Sequence, residues 1–366
     1  MFRNTRHIHF VAIGGVGMSG IAEVLLNLGF SVSGGDLRRS GATDRPAARG
    51  ARIHIGHAAD QVVGADVVVR STAVTEANSE VREARRRRIP VIRRAEMLAE
   101  LMRLKEGVAV AGSHGKTTTT SLTAAALAAG GLDPTVIVGG KVLALGSGAV
   151  LGGGDYLVAE ADESDGSFLH LVPTIAVVTN IDHEHVDYYP TLDHLRQAFL
   201  SFLQRVPFYG TAVLCLDDPE VRELAPRLDR RVVTYGLGRE AEVRADGDSV
   251  VAGPQGQTAT VLAGDRELGR LRLPQAGRHN LRNALAAVAV ARELGVEFER
   301  AAAALASFSG VGRRCESRGE HGGVLVVDDY GHHPTEISAP MEVAPAQSRR
   351  IVVQIVFFVL FAGSFF

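Results

Sequence analysis

The chain has 366 residues, 46% of them hydrophobic, and a formal net charge of −2. That length suggests two or three domains with real cores. The near-balanced charge supplies no electrostatic reason to invoke nucleic acid or an anionic membrane. Two cysteines, Cys215 and Cys315, are too few for a disulfide framework and suit a reducing, cytoplasmic setting. Residues 1–7 are polar and short and do not read as a secretory leader. Lysine is scarce: Lys105, Lys116 and Lys141 are the only three, and the other 36 of the 39 cationic side chains are arginines.

In chain order, residues 7–13 read as a strand that runs into Gly14-Gly15-Val16-Gly17-Met18-Ser19-Gly20 and then an amphipathic helix over 21–28. Gly15, Gly17 and Gly20 fit a dinucleotide fingerprint, and Asp36 ends the next strand, 30–34, where a ribose hydroxyl is often held. The fingerprint alone places a nucleotide diphosphate on a helix N-terminus and leaves NAD and a UDP-sugar open. A further strand, 65–70, ends in Ser71-Thr72-Ala73, whose hydroxyls sit at the same sheet edge. Strand and helix alternate to about residue 104, which makes one small parallel domain. The basic run Arg85 to Arg88 reads as a solvated helix end and is assigned no function.

The stretch Gly112-Ser113-His114-Gly115-Lys116-Thr117-Thr118 organises the middle of the chain. An apolar strand, 107–111, breaks into it, and an Ala/Leu-rich helix over 117–129 leaves it. Strand, glycine loop and helix N-terminus together make an anion site. Lys116 reaches outer phosphates as a point charge, and the Thr117 hydroxyl is placed to bind a phosphate-chelated magnesium. The spacing Gly-x-x-Gly-Lys-Thr is tighter than the common phosphate loop, but its position at a strand-to-helix junction points to a nucleoside triphosphate.

Two further strands, 156–159 and 174–181, empty into Glu160-Ala161-Asp162-Glu163-Ser164-Asp165 and Asp182-His183-Glu184-His185-Val186-Asp187. In a doubly wound sheet these clusters line the edge that carries the phosphate loop. Oxygen ligands with an imidazole suit magnesium, or manganese. Zinc through His183 and His185 lacks an accompanying cysteine. A helix over 195–206, a strand over 211–216 and an antiparallel patch over 232–264 follow. Gly277-Arg278-His279-Asn280 then opens a helix to about 294, and a second covers 298–308. Arg313 and Arg314 are open between a phosphate contact and solvent. A strand over 324–327 precedes Asp328-Asp329-Tyr330-Gly331-His332-His333. The last sixteen residues, 351–366, carry no charge and five of the 14 phenylalanines. They are short for a membrane span of about twenty.

The ordered stretches 13–20, 112–118, 160–165, 180–188, 277–280 and 328–336 together resemble the Mur ligases. The Gly-Gly-Val-Gly-Met-Ser-Gly and Glu-Ala-Asp-Glu-Ser-Asp segments are more similar to the alanine-adding branch than to the murein tripeptide ligase. The resemblance implies an α/β chain: a Rossmann-like domain for the UDP-sugar (1–105), a central P-loop ATPase domain (106–318), and a C-terminal Rossmann-like domain that brings the amino acid. Of that third domain, 319–366 would be a remnant with an aberrant apolar tail.

The implied reaction phosphorylates the carboxylate of UDP-N-acetylmuramate with ATP, and L-alanine attacks the acyl phosphate. By resemblance, Gly15, Val16, Gly17, Met18, Ser19, Asp36, Ser71 and Thr72 hold the UDP-sugar. Residues 112–118 hold the phosphates, and Thr117, Glu163 and His185 ligate the metal. Lys116, Glu163 and His185 are the catalytic set. His279, Asn280 and Tyr330 meet adenine and ribose, and Arg313 approaches the phosphates. The family's carbamylated lysine has no counterpart, since no lysine follows Lys141. An incomplete third domain leads to the expectation that this chain binds both nucleotides but joins alanine poorly. An NAD-dependent oxidoreductase, a rival from the first fingerprint, leaves Lys116, Glu163 and His185 unexplained. A third alternative is a catalytically dead nucleotide-binding remnant.

Overall fold

The computed structural model describes residues 5–15, 17–138, 149–253, 256–310, 316–322, 324–329, 331 and 337. The readings of Val16, Lys141, Arg313, Tyr330 and the tail 351–366 lie outside them. The chain divides into two units, Met1–Gly312 and Arg313–Phe366.

The first unit holds two sheets. In the first, β1 (His7–Val11), β2 (Ser31–Asp36), β3 (Arg52–Ile55), β4 (Val67–Arg70) and β5 (Val91–Arg93) take the order β3-β2-β1-β4-β5, parallel throughout. Ile8, Phe10 and Val11 are fully buried, as expected of a central parallel strand covered on both faces. His9 is the polar exception at 0% exposure, and it is satisfied. Its Nδ1 lies 2.7 Å from Ser33 Oγ and its Nε2 2.8 Å from Glu80 Oε2, while His57 Nδ1 takes the other Glu80 oxygen at 2.6 Å. The helix α1 (Met18–Asn27) begins three residues before the predicted start. Gly17, at φ 76°, ends the loop there in a left-handed turn, and Met18, Ile21 and Leu25 drop into the core. The helices α2 (Gly41–Ala48), α3 (Ser79–Arg86) and α4 (Arg94–Met102) complete this layer. At the end of α3, Arg85 pairs with Glu76, and Arg86 and Arg87 pair with Glu83 on the surface, as a solvated helix end should.

The second sheet is built on β6 (Glu106–Ala111), β7 (Thr135–Ile137), β8 (Ala149–Val150), β9 (Tyr156–Glu160), β10 (Ile175–Val178), β11 (Thr211–Cys215) and β12 (Arg231–Gly236). The central order is β12-β11-β10-β6-β9-β7, all parallel. The pleat sends alternate β6 residues to opposite cores. Val108 and Val110 meet α5 (Lys116–Ala129), α8 (Arg278–Glu293) and α9 (Phe298–Ala306), whereas Ala109 and Ala111 face the side of α6 (Leu192–Leu203). On α6, Leu195, Phe199 and Phe202 are fully buried at helical spacing. Phe168 packs on the two phenylalanines at centroid distances of 5.2 and 5.1 Å, which anchors the chain that follows the 160–165 loop.

The antiparallel patch expected over 232–264 is displaced. Strand β12 runs parallel to β11 because a short crossover helix, α7 (Pro219–Leu224), separates them, which a hairpin does not allow. Antiparallel pairing starts only where β13 (Val243–Ala245) meets β15 (Gly256–Ala263), and continues through β14 (Val251–Gly253) and β16 (Arg266–Leu273). In each sheet the glycine loop follows the strand whose neighbours diverge: β1 lies between β2 and β4, and β6 between β9 and β10. Ligands of open α/β sheets bind at such switch points.

In the second unit, β17 (Glu316–His321) and β18 (Val324–Asp328) form an antiparallel pair. Strand β18 matches the predicted 324–327, and its partner was not foreseen. Among the described residues no helix is long and apolar enough to cross a membrane.

Candidate active site

Helix α5 begins at Lys116 with Gly115 as its N-cap, at φ 82° and without any side-chain cap. An uncapped helix start leaves its first backbone N–H groups for an anion. The loop before it rests on a second segment, residues 179–182, which leaves β10. Ser113 N–H donates to Asn180 O (3.1 Å), and Ser113 Oγ donates to Asp182 O (3.0 Å) while accepting from Asp182 N–H (2.9 Å). His114 Nε2 lies 3.0 Å from Asp182 Oδ2. Gly112 sits at φ 133°, and a Cβ there would collide with Thr179 Oγ1. The N–H groups of Ser113 and His114, read as phosphate donors, are thus turned onto residue 180.

Lys116 is folded across the loop. Its Nζ donates to Gly112 O (2.8 Å), Ser113 O (3.1 Å) and Glu163 Oε1 (2.8 Å). Burial opposes its charge, but Glu163, Glu160 and Asp162 outweigh burial and hold its pKa above the ordinary value. Glu163 is fully buried, and Tyr189 OH anchors its backbone carbonyl at 2.8 Å. One Glu163 oxygen faces Lys116 and, at 3.6 Å, His185 Nε2; the other, Oε2, is buried with no partner. A buried carboxylate oxygen without a hydrogen-bond partner is costly in isolation and suits a cation ligand. His185 has φ 55°, a left-handed backbone unusual for a side-chain-bearing residue, so its ring is placed under strain. The neighbouring Glu163 carboxylate, helped by the charge of Glu184, raises its pKa above 6.5 against the cost of burial.

One ligand atom each from Glu163, Glu184 and His185 lies within 4.8 Å of the others. This oxygen-rich set with one imidazole suits magnesium or manganese. Sequence reasoning placed Glu184 in the cluster but not among the ligands. Thr117, expected beside Glu163, instead donates from Oγ1 to Glu160 Oε2 at 2.9 Å. Glu160 is therefore a second carboxylate at the helix start that went unassigned, although it ends β9 where such residues are sought. Helix α8 brings a further neighbour: a Cβ on Gly115 would stand 2.8 Å from Asn283 Oδ1. His279 and Asn280 lie one turn earlier on α8, with Asn280 Nδ2 donating to Ala276 O at 2.8 Å.

Two family models match: "Mur ligase family, catalytic domain" over residues 7–106 and "Mur ligase middle domain" over 110–291. The UDP-N-acetylmuramate–L-alanine ligase of Anaeromyxobacter sp. is 59% identical over 346 residues, 94% of this chain and 75% of that protein. The chain belongs to the Mur ligase family. The ligase of the same name from Desulfatibacillum aliphaticivorans is 56% identical over 93% of this chain and 75% of its own length. Among solved structures, a UDP-N-acetylmuramate-alanine ligase from Thermotoga maritima aligns with TM-score 0.79 at 30% identity, over 92% of this chain and 77% of that one. The UDP-N-acetylmuramate:L-alanyl-γ-D-glutamyl-meso-diaminopimelate ligase from Neisseria meningitides aligns at 0.76 and 29%, over 84% of this chain and all of that one. The two solved folds hardly differ as matches, so the alanine-adding branch is favoured by the curated relatives.

In this Mur ligase the first glycine loop is built differently. Asp36 Oδ2 accepts from Gly14 N–H at 2.8 Å, so the carboxylate braces the loop it was expected to serve beside. Met18 N–H and Ser19 N–H both turn to Gly15 O, at 3.0 and 3.5 Å, and the Met18 side chain is buried in the core. Gly17 caps α1 with no side-chain bond. Ser71 and Thr72 stand at the end of β4, where Ser71 N–H donates to Val11 O at 3.4 Å. One guanidinium links the two edges. A Cβ on Gly17 would lie 3.2 Å from Arg94 Nη1, and Arg94 Nη2 is 4.0 Å from Asp162 Oδ2 in the acidic loop.

Proposed function

We propose that this chain is an ATP-dependent ligase that joins L-alanine to the carboxylate of UDP-N-acetylmuramate, a step of peptidoglycan precursor synthesis in the cytoplasm. The observation that carries the reading is Lys116 held against a buried glutamate whose second oxygen is orphaned, at an uncapped helix start. ATP phosphates take the N–H groups of the first turn of α5, and Lys116 swings from Glu163 to the transferring phosphoryl group. Glu163, His185 and Glu184 hold Mg2+ or Mn2+, with Thr117 and Glu160 at the phosphate side. The ion neutralises phosphate charge when bound.

The UDP-sugar rests on the loop at Gly15 and Gly17, with Asp36, Ser71 and Thr72 at its edge. Arg94, between the two loops, places the muramate carboxylate side of that ligand beside the acidic loop. An oxygen of the carboxylate attacks the γ-phosphorus and ADP departs. The alanine amine then attacks the acyl carbon, and phosphate leaves with the carboxylate oxygen. His279 and Asn280 flank the adenosine end.

In this proposal residues 1–105 serve the UDP-sugar and residues 106–318 serve ATP. Phosphate release measured with ATP, UDP-N-acetylmuramate and L-alanine tests the function. Release that needs all three substrates is expected. Release that ignores the UDP-sugar, or thermal stabilisation by NAD in its place, contradicts the proposal.

A further inference from the structure

We infer that Asn180 is the positioning residue of the phosphate loop: its side-chain amide clamps His114 at both backbone ends and thereby aims the next N–H at the triphosphate. The inference rests on the ATP reading above and adds a residue to it. His114 N–H donates to Asn180 Oδ1 at 2.8 Å, and Asn180 Nδ2 donates to His114 O at 3.0 Å. The two bonds fix which amide atom is which. Thr179 Oγ1 donates to the same carbonyl at 2.7 Å, so His114 O has two donors.

In a planar trans peptide the carbonyl and the following N–H point in opposite directions. With His114 O held against residues 179 and 180, Gly115 N–H is turned the other way, out of the clamp. Gly115 completes the turn at φ 82°, and α5 starts at the next residue. The loop is two residues shorter than a common phosphate loop, so it has less backbone of its own to brace it. The clamp from 179–182 supplies that brace. The same segment leads within three residues to His185, so the loop that meets phosphate and the ring that meets metal share one support.

The test uses the full chain with three versions of residue 180 and two probes: magnesium with a non-hydrolysable ATP analogue, and UDP-N-acetylmuramate. Asn180→Leu keeps size and neutrality but removes both bonds; Asn180→Ala removes them and leaves room for water. Analogue affinity is expected to fall about tenfold or more in Asn180→Leu, and by less in Asn180→Ala, where water partly replaces the amide. Affinity for the UDP-sugar should stay within about twofold in both. A space-filling role predicts the reverse ranking, with Asn180→Leu close to the parent. That result overturns the inference, as does parallel loss of both affinities, which would make Asn180 a residue of the general fold. Failure of the parent chain to bind the analogue is a different result and strikes the ATP reading instead.

Discussion

The two glycine loops of this chain share a design and differ in what surrounds it. Each follows a central parallel strand at a switch point, and each ends in a left-handed glycine that caps a helix without a side chain. At the first, the carboxylate that reaches the loop, Asp36 at the end of β2, accepts from Gly14 N–H. The second gathers Lys116, Glu160, Glu163, Glu184 and His185. A helix start alone suffices to hold an anion that does not react. Transferring a phosphoryl group needs a mobile cation and metal ligands besides, because charge moves during the step. On the function proposed above, this difference separates a loop that would hold a diphosphate from one that would work on a triphosphate.

Four substitutions break or sharpen that contrast. Lys116→Ala should lower ATP turnover about a thousandfold, in line with the removal of a transition-state charge contact. UDP-N-acetylmuramate binding, followed by calorimetry, should hardly move. Gly112→Ala comes next. Its φ of 133° and the collision with Thr179 Oγ1 leave no room for the methyl, so a stability loss of about 3 kcal/mol in urea titration is expected. The mirror change in the first loop is milder. Gly17→Ala strains φ 76° and crowds Arg94; it should weaken the UDP-sugar about tenfold and spare the ATP analogue.

The smallest effect concerns Asp218, which caps α7 near the second edge. Burial pushes its pKa up to about 6, against backbone bonds from Val221, Ile181 and Glu220 that pull it down. An acid raised in the folded state favours folding at low pH and loses that advantage as pH rises from about 4 through 6. Discounted for its partial exposure, the loss is about 1–2 kcal/mol. An asparagine at this position still caps the helix, so Asp218→Asn should flatten melting temperature across that pH range.

Much of the fold was legible in the sequence, because buried parallel strands read as apolar runs. Residues 7–13, 107–111 and 156–159 fall on β1, β6 and β9. The phosphate loop was legible because glycine, lysine and threonine have few other reasons to meet at a strand end. The direction of β12 was not, since six-residue α7 is too short to show a helical period. Glu184 and Glu160 were named within their clusters, yet that one meets Glu163 and His185 and the other Thr117 depends on which way each loop turns. The clamp by Asn180 left no trace beyond one asparagine, because its bonds go to backbone atoms that every residue has. His9, Glu80 and His57 lie far apart in the chain and meet only through the sheet.

The central claim is that the two loops serve one reaction, with the ligand of the first receiving phosphate from the ligand of the second. UDP-N-acetylmuramate with heavy oxygen in its carboxylate tests this most directly. After incubation with ATP, magnesium and L-alanine, the released phosphate is analysed by mass spectrometry. The account predicts that each released phosphate carries one labelled oxygen taken from the sugar carboxylate. Phosphate without label would mean that water, not the carboxylate, attacks ATP, and would contradict the account.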